Sequence, residues 1–263
     1  MNAVHDFARF KAERRKISIV TAYDAWSARI VARSNVDAIL VGDSAAMVIH
    51  GHSTTVAATV GLMAMHTRAV ARVAGGKFVI ADLPFLSFRK GIPAAMRAVG
   101  ALVTSGAHAV KLEGVDGHEG VVRHIVESGV PVMGHLGLTP QSVNRFGGFR
   151  VQGRQARDAA RLLDQANALE ALGCFSIVLE CVPAELAARI TSALTIPTIG
   201  IGAGCGTDGQ VLVLQDLLGL DTSISPRYVR RYCDGERLLT DALNEYDADV
   251  KQTKFPALEE SYS

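Results

Sequence analysis

The sequence predicts a single (β/α)8 barrel, the TIM-barrel fold. Short apolar runs alternate with segments of helical period along nearly the whole chain. Strands that alternate with helices imply right-handed crossovers and a parallel sheet. Eight such units within 263 residues favour a closed barrel over an open doubly wound sheet.

The eight strand candidates follow one another in chain order. They are ISIVTAYD, AILVGDS, KFVIADLPF, AVKLEG, VPVMGHLGL, FSIVLECV, IPTIGIGAG and residues 211–214. Several of the intervening helical segments end in glycine just before the next strand, as helix C-caps favour. A helix over residues 3–12, before the first strand, is expected to cap the bottom of the barrel.

Residues 1–263 are predicted to form one domain, because no change in composition marks a boundary. The segment after Pro226 is polar with helical period, so the domain is expected to end in a polar helical tail. The formal net charge of +1 provides no bulk attraction to nucleic acid or to an anionic membrane surface. No apolar run approaches the roughly 18–20 residues that cross a bilayer. The four cysteines include no C-x-x-C pair, and no signal peptide is recognisable at the N-terminus, so a cytoplasmic protein is expected.

Acidic residues recur at the carboxyl ends of the predicted strands. Asp43, Asp82, Glu113 and Glu180 each follow at least three mostly apolar residues, and His135 occupies a similar position. Active sites of (β/α)8 enzymes lie at this end of the barrel. Any one of these acids could be a helix N-cap. Four carboxylates that converge in one mouth repel each other, so a positive group is expected among them.

Two positive groups are candidates. Lys111 lies two positions before Glu113, and alternation along a strand directs both side chains to the same face. A divalent cation is the other candidate, and a few carboxylates completed by water and substrate suit Mg²⁺. Zinc would require more histidine or cysteine than His135 alone. The stretch from Lys111 to Glu113 is therefore interpreted as part of an active-site mouth.

The glycine-rich stretch GIGAG, residues 200–204, has two possible explanations. Loops after the seventh and eighth strands of such barrels often bind phosphate. Alternatively, a tight passage out of the strand requires glycine for its backbone angles. No nucleotide-binding motif of either common glycine-rich type is present, which favours the second explanation.

A series of ordered motifs resembles one known family. TAYD, LVGDS, ADLPF, VKLEG, GHLGLTPQS, FGGFRVQGR, LECVP and IPTIGIGAG followed by TDGQVLV occur in the order seen in the ketopantoate hydroxymethyltransferase family. The resemblance spans roughly residues 21–220. It implies a (β/α)8 barrel of the phosphoenolpyruvate/pyruvate type that assembles as a homodecamer. It also implies transfer of a hydroxymethyl group from 5,10-methylenetetrahydrofolate to 3-methyl-2-oxobutanoate, giving 2-dehydropantoate in pantothenate biosynthesis.

The resemblance also implies roles for individual residues. Asp43 and Asp82 would ligate one Mg²⁺ per subunit, and Glu113 would complete its shell directly or through water. Ser44 and Lys111, together with those two aspartates, would hold the oxo-acid. His135 would line the same pocket as a further substrate-binding residue. Glu180 would be the proton acceptor.

The chain departs from the family pattern in the loop after the second strand. Ala45 and Ala46 replace a bulky residue and a glycine, and Ser53 replaces an acid. Gln215 also stands where histidine is usual. The loop changes leave an alternative open, a related Mg²⁺-dependent lyase or aldolase acting on another 2-oxo acid. A barrel without activity is a third hypothesis, although such a barrel would have no need to keep these acids and Lys111.

Overall fold

The computed structural model describes residues 3–148, 150–221 and 226–262. Eight parallel strands pair in chain order, and the first strand also pairs with the last, so that the sheet closes into a barrel. The predicted (β/α)8 fold is therefore confirmed. The strands are β1 (Ile17–Thr21), β2 (Ala38–Val41), β3 (Phe78–Asp82), β4 (Ala109–Glu113), β5 (Val132–Gly137), β6 (Ser176–Glu180), β7 (Thr198–Ile201) and β8 (Gly209–Leu212).

Helices connect the strands and extend beyond them. They are α1 (His5–Ala12), α2 (Ala25–Arg33), α3 (Ala45–Val48), α4 (Val60–Ala71), α5 (Ile92–Thr104), α6 (Glu119–Glu127), α7 (Val143–Phe146), α8 (Ala156–Ala171), α9 (Ala184–Ala193), α10 (Leu214–Leu218) and α11 (Gly235–Lys251). Short 3₁₀ turns lie at Thr55–Ala57, Pro140–Ser142 and Leu258–Glu260. None of the helices in the described part of the chain is long and apolar enough to cross a membrane.

The strands read as short apolar runs because both of their faces are covered. Every residue of β2, β3, β4, β5 and β7 is buried. Parallel strands that are covered by helices on one side and fill a barrel on the other need apolar side chains on both faces. Polar side chains in such strands are exceptions, and the two acids among them, Asp82 and Glu113, are the last residues of β3 and β4.

Helix α1 covers the N-terminal end of the barrel, as the sequence predicted. The ring of Phe7 is fully buried and packs edge-on against Phe78 and Phe175, with centroids 5.6 and 4.9 Å away. Phe78 begins β3, and Phe175 immediately precedes β6. Lys11 Nζ donates to the carbonyl oxygens of Thr191 and Ile196 at 2.9 and 3.1 Å. The helix thus closes the end opposite to the predicted site.

Three features differ in detail from the sequence-based predictions. Strand β8 begins at Gly209 and ends at Leu212, two residues earlier than predicted, because Gly209 pairs with the first residue of β1. The predicted loops after β2 and β5 contain the short helices α3 and α7. The FGGFRVQGR segment includes Phe149, which lies outside the described residues.

The chain divides into two compact units, Met1–Val213 and Leu214–Ser263. The first contains the whole barrel, and the second contains α10 and α11. The predicted polar helical tail corresponds to α11. That residues 1–263 form one domain stays a prediction.

Candidate active site

The register of the barrel brings the predicted residues together at the carboxyl ends of neighbouring strands. Asp82 on β3 pairs with Lys111 on β4, and Glu113 on β4 pairs with His135 on β5. Glu180 ends β6 and pairs with Gly137. Asp43 and Ser44 follow β2 directly. Contacts that involve side chains connect six of these seven predicted residues, all except Ser44. Gln141, which was not predicted, provides the link between Asp43 and Glu113.

Lys111 and two aspartates form the most buried part of the group. Lys111 Nζ donates to Asp82 Oδ1 at 2.6 Å, and the backbone N–H of Asp43 donates to Asp82 Oδ2 at 3.0 Å. Burial lowers the pKa of Lys111, but the charges of Asp82, Asp43 and Glu113 outweigh it and raise the pKa overall. Lys111 is therefore a fixed cation in a mouth of negative charge.

Asp43 is the acid of this group whose pKa is raised by its surroundings. Burial raises its pKa well above the usual range, and the charges of Asp82 and Glu113 raise it further. Lys111 and a hydrogen bond from Gln141 act in the opposite direction without cancelling these effects. As ionised groups, Asp43, Asp82, Glu113 and Glu180 would carry four negative charges against two positive charges, those of Lys111 and of protonated His135. A further cation at this site would be stabilising.

Gln141, on the 3₁₀ turn after β5, bridges two of the acids. Its side-chain amide donates to Asp43 Oδ2 at 2.8 Å and to the carbonyl oxygen of Leu83 at 2.9 Å. Its backbone N–H donates to Glu113 Oε2 at 3.0 Å. The residue is buried, so both acceptors are shielded from water. One loop residue thus sets the orientation of carboxylates from two different strand ends.

His135 lies between two glutamates. Its Nε2 is 3.2 Å from Glu180 Oε2, and its Nδ1 is 3.5 Å from Glu113 Oε1, distances of ion pairs rather than of well-aligned hydrogen bonds. Burial and the charge of Lys111 lower the pKa of His135, yet the contacts with Glu113 and Glu180 raise it overall to about 9. The two glutamates therefore favour the protonated imidazolium form of His135. Glu180 is the more open of the two acids, with 13% of its side chain exposed.

Ser44 is joined to a second group of contacts behind the mouth. Its hydroxyl lies 2.7 Å from the hydroxyl of Tyr23, which is fully buried. Burial raises the pKa of Tyr23 strongly, so its hydroxyl stays protonated. The backbone carbonyl of Tyr23 is 2.5 Å from Nδ1 of His66, whose Nε2 lies 2.9 Å from Nε2 of His50. The hydroxyl of Ser44 is therefore held in position by Tyr23, which is itself held by its contact with His66.

The donor set fits a hard divalent cation held by few protein ligands. All three acids offer oxygen, and Glu113 Oε1 is buried without a hydrogen-bond partner among the residues described. No three acidic, histidine or cysteine side chains in the described part of the chain are grouped closely enough to enclose a metal. Mg²⁺ is commonly bound by one or two carboxylates, with water and substrate as its other ligands. The arrangement fits such a site and not a closed zinc site.

A cleft of about 220 Å³ opens beside the acid group. Glu113 contributes to its inner wall, and α8 and the loop after β5 contribute much of the remainder. Three arginines also line it: Arg89, Arg145 and Arg161. The cleft therefore extends from the acid group to a basic rim.

Sequence reasoning identified the strand-end side chains and missed those that support them. Gln141 lies in the GHLGLTPQS motif, but its spacing carries no sign that it reaches Asp43 across 98 residues of sequence. Tyr23 lies in the TAYD motif and gives no more direct a signal. Both motifs could have drawn attention to these residues, yet only the fold shows their contacts.

Comparisons with known proteins identify the family of this chain. The family model described as "Ketopantoate hydroxymethyltransferase" matches residues 2–258. A protein of Bdellovibrio bacteriovorus named 3-methyl-2-oxobutanoate hydroxymethyltransferase is 57% identical over 263 residues, and the alignment covers 100% of both chains. A protein of the same name from Coxiella burnetii is 54% identical over 255 residues, covering 97% of this chain and 96% of the relative.

Solved structures with low sequence identity share the fold. Phosphonopyruvate hydrolase in complex with oxalate and Mg²⁺ superposes with a TM-score of 0.65 at 10% identity, covering 99% of this chain and 93% of the other. A 2,3-dimethylmalate lyase of the PEP mutase/isocitrate lyase superfamily gives a TM-score of 0.61 at 16% identity, covering 100% and 92%. These likenesses show a shared (β/α)8 barrel fold.

Proposed function

This chain belongs to the ketopantoate hydroxymethyltransferase family, and from that premise we propose that it converts 3-methyl-2-oxobutanoate to 2-dehydropantoate. In the proposed reaction 5,10-methylenetetrahydrofolate supplies the one-carbon unit and water supplies the hydroxyl oxygen. Tetrahydrofolate leaves as the second product. The enzyme is a transferase, as the names of its relatives at 52–57% identity state.

One structural observation carries the proposal, an unbroken series of contacts from Lys111 to Glu180. The series runs through Asp82, Asp43, Gln141, Glu113 and His135. It combines a fixed cation, two buried aspartates and a more exposed carboxylate at the open end. Removal of a proton next to a carbonyl needs a base on one side and stabilisation of negative oxygen on the other. The two ends of this series supply both.

We propose that Asp43, Asp82 and Glu113 hold Mg²⁺, with Glu113 acting directly or through water. When bound, the metal would polarise the 2-oxo group of the substrate. Support comes from the all-oxygen donor set and from the excess negative charge around Asp43. The oxalate and Mg²⁺ named for phosphonopyruvate hydrolase offer an analogy at the level of fold alone.

The residues of the chain have separate tasks in this scheme. Lys111 and Ser44, with Asp43 and Asp82, would hold the oxo-acid, and the charge of Lys111 would stabilise the enolate oxygen. Glu180 would take the proton from C3. His135, as an imidazolium 3.2 Å from Glu180, would orient that carboxylate and line the substrate pocket. The enolate carbon then attacks the one-carbon unit of the folate.

The test measures proton removal separately from transfer. Exchange of the C3 proton of 3-methyl-2-oxobutanoate in D₂O is followed by NMR with and without Mg²⁺ and without folate. We expect Mg²⁺-dependent exchange that Glu180→Gln slows by roughly 100-fold or more, because a general base contributes on that order. The exposed Glu185 gives a matched control, and Glu185→Gln should exchange at the wild-type rate. Wild-type exchange in the Glu180→Gln variant would remove Glu180 from the base role.

A lyase or aldolase would act without folate, so a panel of 2-oxo acids with and without the co-substrate separates this alternative from transfer. The full-length identity to named hydroxymethyltransferases supports transfer over this alternative. The homodecamer and the cytoplasmic location stay predictions.

A further inference from the structure

We propose that the cleft beside Glu113 binds the glutamate carboxylates of the folate co-substrate, with Arg145 and Arg89 as their partners. This inference rests on the proposed function, because it concerns the second substrate of that reaction. It assigns the basic rim of the cleft to the end of the folate that does not react.

Two arginines of the cleft point to an anionic ligand. Among the residues described, the Arg89 side chain donates only to the backbone carbonyl oxygens of Asp116 and Glu113, both at 3.3 Å. Arg145 makes no hydrogen bond or ion pair with any residue that the structure describes. Two guanidinium groups therefore lie at one cleft without a carboxylate bonded to either. Their proximity adds to partial burial in lowering the pKa of Arg89.

The other charged side chains that line the cleft are Arg161 and the acids Glu113, Asp116 and Asp158. Arg161 forms an ion pair with Asp116, which also accepts a hydrogen bond from Gln165 Nε2 at 2.9 Å. Asp158 is a further acid in the lining and lies close enough to Arg161 to affect its pKa. The charge of Asp116 also acts on Arg89 and Arg145. Among the residues described, however, its carboxylate bonds to neither guanidinium group, so Arg89 and Arg145 keep N–H donors for a ligand.

Size and position decide which part of the folate fits. A volume of about 220 Å³ lies below the range of roughly 300–1,000 Å³ that is usual for complete small-molecule sites. The cleft can therefore hold only part of a folate. The one-carbon unit must reach the oxo-acid at the acid group, which adjoins the inner wall formed by Glu113. The outer arginines are left for the opposite end of the folate, which carries two carboxylates, and guanidinium groups bind carboxylates in a bidentate manner.

The experiment combines direct binding with kinetics. The probe is p-aminobenzoylglutamate, the folate fragment that carries the carboxylates, and p-aminobenzoate without the glutamate is the comparison ligand. We expect titration calorimetry to detect the first with the wild-type protein, and to show affinity reduced roughly tenfold or more with Arg145→Ala. In turnover, the same variant should raise KM for methylenetetrahydrofolate by a similar factor. KM for the oxo-acid and C3 exchange should stay unchanged.

Arg157→Ala is the matched control, since Arg157 is exposed on α8 and does not line the cleft. Equal binding of p-aminobenzoylglutamate by wild type and Arg145→Ala would overturn the inference. Displacement of this probe by inorganic phosphate at a similar concentration would also overturn it, because the cleft would then be a general anion site. A third outcome concerns the proposed function instead. If the wild-type protein binds the probe in an Arg145-dependent manner but does not transfer the hydroxymethyl group, the result counts against the proposed function.

Discussion

At the scale of single residues, the acid group depends on a neutral side chain. Gln141 uses both amide protons, one on Asp43 and one on the carbonyl oxygen of Leu83, so the orientation of its amide is determined by two acceptors. A carboxylate that binds a metal or a substrate needs the correct orientation before the ligand binds. Gln141, which lies in a loop, holds the carboxylate of Asp43 in one orientation.

Gln141→Leu tests this dependence. The variant keeps the side-chain volume and the backbone N–H to Glu113, but it leaves Asp43 without its amide donor. We expect joint binding of Mg²⁺ and 3-methyl-2-oxobutanoate to weaken by about 10- to 100-fold, as is usual when a group that orients a ligand is lost. Calorimetric titration of the oxo-acid in the presence of Mg²⁺ measures the effect.

Gln155→Leu serves as the control for this prediction, because Gln155 is exposed and its side chain forms no cap hydrogen bond. It should bind as the wild type does. If Gln141→Leu also binds normally while its circular dichroism spectrum is unchanged, the orientation of Asp43 does not depend on the amide.

The contrast between Glu113 and Gln141 shows what the sequence can predict at this scale. Glu113 stands out because an acid at the end of an apolar strand conflicts with burial unless the site uses it. Gln141 creates no such conflict, since polar residues are ordinary in a turn. Its contact with Asp43 exists only because the barrel brings two remote strand ends together, and a single sequence contains no record of that closure.

At the scale of elements, side-chain hydrogen bonds stabilise the connections between helices and strands. Glu170 near the end of α8 accepts three hydrogen bonds at the turn that precedes β7. They come from the backbone N–H and hydroxyl of Thr195, at 2.6 and 2.8 Å, and from the backbone N–H of Ile196, at 3.0 Å. Partial burial raises the pKa of Glu170, but these bonds outweigh it and lower the pKa overall. The carboxylate form therefore stabilises the folded chain.

The pH dependence of the stability that Glu170 contributes follows from the direction in which its pKa is shifted. A group with a folded-state pKa below its unfolded value of 4.5 contributes stability above that pH and loses the contribution as pH falls through the folded pKa. Glu170→Gln should cost about 1–2 kcal/mol at pH 7, because charge-assisted bonds become neutral ones. The deficit should shrink as pH falls below about 4.5. Urea unfolding at a series of pH values measures both effects.

Glu127 provides the comparison, since it is an exposed glutamate on α6. Glu127→Gln should change the free energy of unfolding by less than about 0.5 kcal/mol at every pH. A deficit in Glu170→Gln that stays constant down to pH 3 would show that its hydrogen bonds do not depend on charge.

The sequence predicts most of the helices and strands, but it predicts the residues at which they begin and end less well. Gly137, at the end of β5, shows why the ends are harder. Its φ is +93°, and a Cβ there would lie 2.2 Å from the carbonyl oxygen of Glu180 on the next strand. The glycine is required by a neighbour 43 residues away in sequence, a contact that local patterns do not encode. The start of β8 was misplaced for a similar reason, because its pairing with β1 decides where the strand begins.

At the scale of the whole barrel, the two ends have different tasks. The carboxyl ends of the strands gather like charges that repel each other, whereas the opposite end is closed by paired groups. Besides its two carbonyl partners, Lys11 Nζ donates to Asp208 Oδ2 at 2.9 Å. Barrels commonly separate stability and activity in this way. Substitutions at the two ends should therefore have opposite effects.

Lys11→Met tests the closed end. The substitution leaves Asp208 and two carbonyl oxygens without their cation, which should cost about 1–3 kcal/mol for these partly buried groups. At about 2–4 °C per kcal/mol for a chain of this size, Tm should fall by roughly 2–12 °C. C3 exchange and KM for the oxo-acid should be unchanged, because α1 and the acid group lie at opposite ends of the strands. Differential scanning fluorimetry and the NMR exchange assay measure the two properties.

Asp43→Asn is the counterpart at the open end. Burial together with Asp82 and Glu113 raises the pKa of Asp43, so its ionised form destabilises the folded chain at neutral pH. The neutral amide relieves that repulsion, and in EDTA it should raise Tm by a few degrees while it abolishes Mg²⁺-dependent exchange. The rise should disappear when both proteins are saturated with Mg²⁺ and oxo-acid, because only the wild type gains stability from binding them. If Asp43→Asn instead lowers Tm in EDTA, the hydrogen bonds of Asp43 outweigh its charge repulsion, and the acid group belongs to the stabilising part of the barrel.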